Sequence, residues 1–273
     1  MRVAVIQFPG MNCEFETLRA VKLAGLDGEL FRWNSSDVLR SFDAFILPGG
    51  FSFQDRVRAG VVASRSSLMN ELSSLAHDGR PILGICNGAQ ILVEAGLVPG
   101  WDTDQIVLGL APNISDDRMG YYCSWVHVSV KRDPESPFTS EFDGNEILPL
   151  PVAHAEGRFV GLTADVEREL GRNGQIAFKY STAQGNVDDS FPTNPNGSFL
   201  NAAGITNIEG NVLALMPHAE RALKLRSVPD SIDGAWGQSK RNSQGNLRAM
   251  EAPGPGARIF ASIRRYLLAG SRK

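Results

Sequence analysis

The chain has 273 residues, 42% of them hydrophobic, which is enough to bury the core of one large α/β domain or two small ones. Its formal net charge of −3 gives no reason to expect a nucleic-acid or membrane-surface partner. The sequence has no apolar run of about 18 residues and no segment of the form of a secretory signal, so we expect neither a transmembrane helix nor export.

The first half of the chain alternates predicted strands and helices. A Val- and Ile-rich run predicts a buried strand at 2–8, and further strands are predicted at 27–33, 42–50 and 80–86. Helical spacing of apolar residues predicts helices at 12–25, 60–79 and 87–96. This alternation is typical of a doubly wound, mostly parallel α/β sheet, in which the loops after the first, third and fourth strands meet at one edge.

The second half of the chain is richer in β-type runs. These are predicted at 121–130, 145–154 and 175–181, followed by one more strand with a polar end in 211–221. The segment 226–256 is rich in Ser, Gly, Asn and Pro and predicts a surface insertion or flexible loop. Helical spacing returns at 257–270. Without internal repeats, the chain is expected to form a single domain, 1–273, with a β-rich extension.

The motif "LGICNGAQIL" carries the strongest chemical signal. Cys86 lies between Gly84 and Gly88, where a predicted strand turns into a predicted helix. Such a junction points the side chain away from the sheet edge and sets the sulfur at the positive end of a helix, which favours the reactive thiolate. We therefore predict that Cys86 is a nucleophile.

The other two cysteines, Cys13 and Cys123, lack flanking glycines and are interpreted as packing residues. Three cysteines do not make a disulfide framework, which favours a reducing, cytoplasmic location.

A thiol nucleophile needs a base, and the base needs an orienting acid. Two of the four histidines end predicted strands and are followed two positions later by a glutamate: His154 with Glu156, and His218 with Glu220. In an extended chain, residues i and i+2 point to the same side, so either glutamate could orient its histidine. The spacing alone does not choose between the two pairs.

Several motifs together resemble a known family. "GICNGAQIL" and "MPHAER" resemble the Cys…His-x-Glu triad of the class I glutamine amidotransferases. "FPGMNCE", "LPGGFSFQD", "APNISDDRMGYYCSWV" and "PVAHAEGRF" narrow the likeness to the glutaminase subunits of phosphoribosylformylglycinamidine synthases, which serve purine biosynthesis. The resemblance covers residues 1 to about 225 and the final helix, and it implies a flavodoxin-like fold.

The resemblance implies a role for each matching residue. Cys86 would be the nucleophile that hydrolyses L-glutamine to glutamate and ammonia, with His218 and Glu220 as the base pair. The groups expected to stabilise the oxyanion or bind the substrate are Gly49, Gly50, Phe51, Asn87, Gln90, His154 and Glu156.

Four residues depart from the family pattern. Ala155 and Ala219 stand where the family has Gly and Pro, and neither change removes a reacting group. Phe53-Gln54 stands where the family has Tyr-Gly. If the backbone there has positive φ, Gln54 costs about 1 kcal/mol or shifts the loop.

The chain lacks the machinery for ATP chemistry. It contains neither G-x-x-x-x-G-K-[ST] nor G-x-G-x-x-G, so no cofactor is expected on it. The resemblance implies a large synthetase subunit that uses ATP and Mg²⁺ and receives the ammonia, often with a small bridging subunit. No metal site is expected, because neither H-x-E pair is accompanied by C-x-x-C.

Three other functions stay open as alternatives to the glutaminase subunit. They are a cysteine peptidase or related hydrolase, the amidotransferase subunit of another synthetase, and a non-catalytic module.

Overall fold

The computed structural model describes residues 1–35, 38–101, 106–115, 118–144 and 146–270. Residues 271–273 of the predicted domain and residue 145 of a predicted strand lie outside this part. The strands in it are β1 Arg2–Gln7, β2 Asp27–Arg32, β3 Ala44–Leu47, β4 Ile82–Ile85, β5 Leu108–Ala111, β6 Ile114–Ser115, β7 Arg118–Met119, β8 Tyr122–Val130, β9 Ile147–His154, β10 Arg158–Gly161, β11 Ile176–Ser181, β12 Ala202–Thr206 and β13 Val212–Leu215. The helices are α1 Glu14–Leu23, α2 Val61–Ser64, α3 Ser67–His77, α4 Asn87–Glu94, α5 Ala164–Arg172, α6 Gly234–Asn242, α7 Leu247–Met250 and α8 Ala257–Gly270.

One large sheet organises the molecule. Within the described residues it has nine strands in the order β2-β1-β3-β4-β13-β12-β11-β8-β9. Neighbours from β2 to β13 pair in parallel, whereas the pairs from β13 onward to β9 are antiparallel. The α/β class is confirmed, and the predicted β-rich extension is the antiparallel continuation of the same sheet.

The central parallel strands are buried because helices cover them. All four residues of β3, β4 and β13 are buried, which matches their unbroken apolar runs. Helix α1 packs on β1 and β2, and α4 packs on β3, β4 and β13. No helix in the described part of the chain is long and apolar enough to cross a bilayer.

Some predicted elements differ from those observed. The helix predicted at 60–79 is two helices, because the chain is extended at Ser66 (φ −71°, ψ 152°) before α3 begins. Strand β12 and helix α5 were not predicted. The sequence of β12, AAGIT, is mostly small residues with weak β propensity, and it forms a strand because it is fully buried between two others.

The segment 226–256 is not simply a surface insertion or flexible loop. It contains α6 and α7, and its last residues return to the body of the protein. Lys224 bridges Pro253, and Gly256 N donates to Ala222 O at 2.9 Å. A Cβ on Gly256 would lie 2.0 Å from Ala219 O. Glycine is therefore needed there for a close approach, a signal that composition alone does not separate from flexibility.

Candidate active site

The site lies where the parallel strands end. Strands β1, β3, β4 and β13 point in one direction, so the loops that follow them share one edge of the sheet. These loops carry Cys13, Gly49, Cys86 and His218. The antiparallel half of the sheet also contacts this edge, because Pro151 O in β9 accepts a hydrogen bond from His218 N at 2.8 Å.

Cys86 occupies a strained elbow between β4 and α4. Its φ of 51° and ψ of −105° lie in a region that side-chain-bearing residues rarely adopt. The flanking glycines allow the helix to leave close to the strands: a Cβ on Gly84 would lie 2.5 Å from Gly88 O, and one on Gly88 would lie 1.9 Å from Leu47 O. Cys86 is 5% exposed, and its Sγ lies 3.7 Å from Ala153 O.

His218 and Glu220 form a buried pair just beyond β13. Glu220 Oε1 lies 2.5 Å from His218 Nδ1, which assigns the proton of the imidazole to Nδ1. Burial alone lowers the pKa of His218, but the charges of Glu220 and Cys86 and the contact with Cys13 outweigh it, so this pKa lies well above its usual value. His218 Nε2 is buried without a hydrogen-bond partner among the described residues. This nitrogen is therefore available to a thiol or a leaving group.

The second H-x-E pair does not make the equivalent contact. His154 Nδ1 lies 3.1 Å from Oδ1 of Asn113, whose amide nitrogen donates to the carbonyls of Gly120 and His154. Glu156 Oε2 instead accepts from Ala59 N at 3.4 Å. Burial, and then the charge of His218, lower the pKa of His154 to about 3. The tertiary structure thus brings a carboxylate to His218 and keeps His154 neutral.

The glycine pair lies beside these groups. Gly49 O accepts from Asn12 N and Cys13 N at 3.3 and 3.2 Å, and Phe51 N donates to Gly10 O at 2.9 Å. These bonds flank the bridge between Met11 and Gly50 and do not use the N–H of Gly50. The N–H of Asn87 is also outside the helical ladder, because it is in the first turn of α4. Both N–H groups are therefore candidates to receive an oxyanion.

The side chain of Asn87 holds the loop that follows the glycine pair. Its Oδ1 accepts from Ser52 N at 2.9 Å, and its Nδ2 lies 3.3 Å from Asp55 Oδ1. The backbone of this loop is left-handed at Phe53, Gln54, Asp55 and Val57. The condition considered for Gln54 is met, since its φ is positive, at 62°. A non-glycine residue in this conformation costs about 1 kcal/mol.

Gln90 and two carboxylates line the same region. Both ends of the Gln90 amide are engaged: Nε2 donates to Glu156 O at 2.7 Å, and Oε1 accepts from Asn87 Nδ2 at 2.9 Å. Gln90 thus holds the segment after β9 in place, and its contact with a substrate stays a prediction. Burial, and then the charge of Glu156, raise the pKa of Asp55 to about 6. Asp55 was not singled out in the sequence, because its neighbour Glu156 is remote along the chain.

Cys13, interpreted from sequence as a packing residue, lies against the triad. Its Sγ is 4.0 Å from His218 Nδ1 and accepts from Arg221 Nη2 at 3.1 Å. Cys13, His218 and Glu220 place possible metal ligands within 4.8 Å of one another. The positive guanidinium of Arg221 contacts the sulfur and disfavours a metal cation there. No observation tests the expected absence of a metal, which stays a prediction. All three cysteines of the chain are free, and Cys123 is exposed on β8, so its interpretation as a packing residue was wrong.

Comparison with known proteins bears on these features. The sequence model of the CobB/CobQ-like glutamine amidotransferase domain matches residues 1–267. The phosphoribosylformylglycinamidine synthase subunit PurQ of Methanothrix thermoacetophila is 45% identical over 276 aligned residues, covering 98% of each chain. The same subunit of Pyrococcus furiosus is 44% identical over 222 residues, covering 81% of this chain and 89% of the relative.

A solved structure is also similar. A chain in the structure of PurLQS from Thermotoga maritima superposes with a TM-score of 0.71 at 30% identity, covering 97% of this chain and 98% of that one. The resemblance drawn from the sequence motifs is therefore confirmed.

Proposed function

The chain belongs to the CobB/CobQ-like glutamine amidotransferase family, and we propose that it is the glutaminase subunit of a phosphoribosylformylglycinamidine synthase. It hydrolyses L-glutamine to glutamate and ammonia, and the ammonia passes to a synthetase subunit that forms formylglycinamidine ribonucleotide with ATP. The observation that carries this proposal is the elbow at Cys86 beside the buried pair of His218 and Glu220, in a family domain that spans 1–267.

In the first half of the reaction, Cys86 attacks the side-chain amide carbon of glutamine. His218 takes the thiol proton and then delivers it to the leaving nitrogen as the tetrahedral intermediate collapses to a γ-glutamyl thioester and ammonia. The raised pKa of His218 supports this role, because the imidazole then accepts the thiol proton readily and keeps it available for the leaving nitrogen. Glu220 keeps that proton acceptor in one tautomer.

In the second half, water hydrolyses the thioester. His218 Nε2 takes a proton from the water, glutamate leaves, and the sulfur of Cys86 regains its proton. In both halves the negative charge on the substrate oxygen is stabilised by the N–H groups of Gly50 and Asn87. Loss of one such donor typically costs about 3–4 kcal/mol of transition-state stabilisation.

Substrate recognition follows from the charges around the cysteine. The charge of Glu156 raises the cost of ionising Asp55, so a positively charged group beside these carboxylates is stabilising. The α-ammonium group of glutamine has that charge. His154, neutral and with Nε2 unpartnered among the described residues, presents an acceptor suited to an amide N–H. We propose that Phe51, 44% exposed, and Gly49 also contact the bound glutamine.

The remaining chemistry belongs to other chains. We propose that a large synthetase subunit, with a small bridging subunit, uses ATP and Mg²⁺, and that this chain holds no cofactor or metal of its own. The PurLQS structure of the Thermotoga maritima relative supports an assembly of this kind. A reducing, cytoplasmic location is proposed from the free thiols of the site.

Replacement of the nucleophile tests the function. We expect Cys86→Ala to abolish glutamine hydrolysis without loss of fold, and the complete synthetase complex containing this variant to form product from added ammonium salt. Steady-state glutaminase and product assays measure both, and a peptide panel checks the alternative of a peptidase. Glutamine-dependent turnover by the variant would reject Cys86 as the nucleophile.

A further inference from the structure

Cys13 is a buried thiol that the proposed reaction does not use. It caps the start of α1 and is 1% exposed. Its sulfur has three polar neighbours: Arg221 Nη2 at 3.1 Å, Asn12 Oδ1 at 3.3 Å and His218 Nδ1 at 4.0 Å. A cysteine that serves only to fill space does not need a guanidinium donor on its sulfur, because buried thiols normally behave as small hydrophobic groups.

The sulfur and Gly49 enclose one side of the catalytic imidazole. A Cβ on Gly49 would lie 2.6 Å from His218 Cε1 and 3.3 Å from Cys13 Sγ, so Gly49, the thiol and the ring are in mutual contact. Main-chain N–H groups of Asn12 and Cys13 both donate to Gly49 O. A shift of the sulfur therefore displaces both the ring and the loop that precedes the Gly50 N–H.

Arg221 connects the sulfur of Cys13 to the turn that carries His218 and Glu220. It follows Glu220 directly and reaches across to α1, where it contacts Cys13 Sγ and lies 3.7 Å from Glu16 Oε1. The charge of Cys13 is among the causes that raise the pKa of Arg221, after burial, which lowers it. One guanidinium thus joins the loop after β1 to the loop after β13.

We propose that Cys13, held by Arg221, is a positioning residue for His218. The sulfur lies beside Nδ1 as a second, weaker acceptor next to Glu220 and sets the tilt of the ring that aims Nε2 at Cys86. This inference rests on the proposed glutaminase function and adds a fourth side chain to its triad.

The charges around His218 predict the direction in which the pH dependence of activity changes when Cys13 is removed. The groups that face His218 are Glu220, Cys86, Cys13 and, more remotely, His154 and Tyr121. Arg221 faces Cys13 and Glu220. Contact with Cys13 is one of the causes that raise the pKa of His218. Glutaminase activity needs the His218 proton for the leaving amine, so activity falls on the alkaline side as that proton is lost. Removal of Cys13 lowers the pKa of His218 and moves this alkaline limb to lower pH.

The test compares three single variants in the assembled synthetase complex. Cys13→Ala is expected to lower the kcat for glutamine about tenfold, with little change in KM, and to move the alkaline limb of the kcat/KM profile to lower pH. Cys13→Ser keeps a polar acceptor and is expected to stay within about threefold of the parent. Cys123→Ser is the matched control, since Cys123 is an exposed thiol in β8, and it should leave all parameters unchanged.

A second variant keeps the inference testable if Cys13→Ala does not fold. Arg221→Met keeps the aliphatic stem but removes the guanidinium that holds the sulfur, so it should lower kcat and move the alkaline limb in the same direction as Cys13→Ala. Loss of thermal stability in the Cys13 variants with unchanged kcat and pH profile would show a packing role and overturn the proposal, as would an unchanged kcat and pH profile in Arg221→Met. Neither result contradicts the proposed glutaminase function, which the Cys86→Ala experiment tests separately.

Discussion

Two buried histidines lie in opposite electrostatic settings. His218 pairs with a carboxylate and has a pKa well above its usual value, whereas His154 pairs with an amide and has its pKa lowered to about 3. A general base must change its protonation state during turnover, and only His218 has a counter-charge to support that change. His154 is suited to remain a neutral hydrogen-bond acceptor.

We therefore expect His218→Ala to reduce glutaminase kcat by at least about 100-fold. His154→Ala should mainly raise the KM for glutamine. Steady-state kinetics at saturating and limiting glutamine separate the two effects, and ammonium-dependent synthesis by the complex controls for folding. An essential His154 with a dispensable His218 would reverse the assignment.

We expect Asp55 to make glutamine binding depend on pH. Its pKa is raised to about 6, so the carboxyl is neutral in more acidic solution and ionised above that pH. Only the ionised form attracts the α-ammonium group of glutamine. The KM for glutamine should therefore fall as the pH rises through about 6.

Asp55→Asn should raise KM and remove this titration. KM measured at a series of pH values checks the prediction. A titration that persists in Asp55→Asn would assign it to another group, for which Glu156→Gln is the next variant to measure.

At the scale of elements, the segment 226–256 divides into two parts with different roles. Helices α6 and α7 make many of their side-chain contacts within the segment, as in the bonds from Arg241 to Asp230 O and Ile232 O. Residues 252–256 instead pair with 222–225 behind the catalytic turn, through Leu225 N to Ala252 O and Gly254 N to Leu223 O. This pairing keeps the two ends of the helical part close together.

Deletion of residues 230–250, with a linker of about four residues, should therefore preserve the fold and the reactivity of Cys86. Deletion extended through residue 256 should destabilise the protein, because it removes partners of the turn that carries Glu220. Thermal denaturation and the rate of Cys86 alkylation measure the two effects. Unfolding by the shorter deletion would place α6 and α7 in the structural core.

At the scale of the whole molecule, hydrolysis must be coupled to a partner that consumes the ammonia. Release of free ammonia wastes glutamine, so a subunit that is slow alone has an advantage. The loop from Gly49 to Phe53 offers a route, because it carries the Gly50 N–H and leads into the strained left-handed stretch that begins at Phe53. A partner that binds one loop conformation more tightly shifts the population toward it.

We expect the isolated chain to be a poor glutaminase and the synthetase complex to raise its kcat about 100-fold, a coupling of about 2.7 kcal/mol. That energy is within what one correctly placed oxyanion donor supplies. Glutaminase kinetics with and without the synthetase partners, their nucleotide and their substrate give the answer. Equal kcat in both cases would remove the gating role of the loop and leave the triad intact.

What the sequence determined by itself is local. The elbow at Cys86 was predictable because its signals, two glycines and the change from strand to helix, all lie within a few residues. The parallel half of the sheet was predictable because buried strands and amphipathic helices have distinct periodicities. Strand β12, with its small residues, and the helices of 226–256, with their Gly- and Ser-rich composition, carry weaker local signals and were not predicted.

The tertiary structure alone decided which groups meet at the edge of the sheet. Sequence spacing left His154 and His218 equivalent, and only the fold brings Glu220 to one and Asn113 to the other. Cys13 and His218 are 205 positions apart, and they touch because the parallel order places β1 and β13 in one sheet with their carboxyl ends together. Such contacts depend on strand order and sheet curvature, which arise from the packing of the whole chain and have no signature in any short stretch of it.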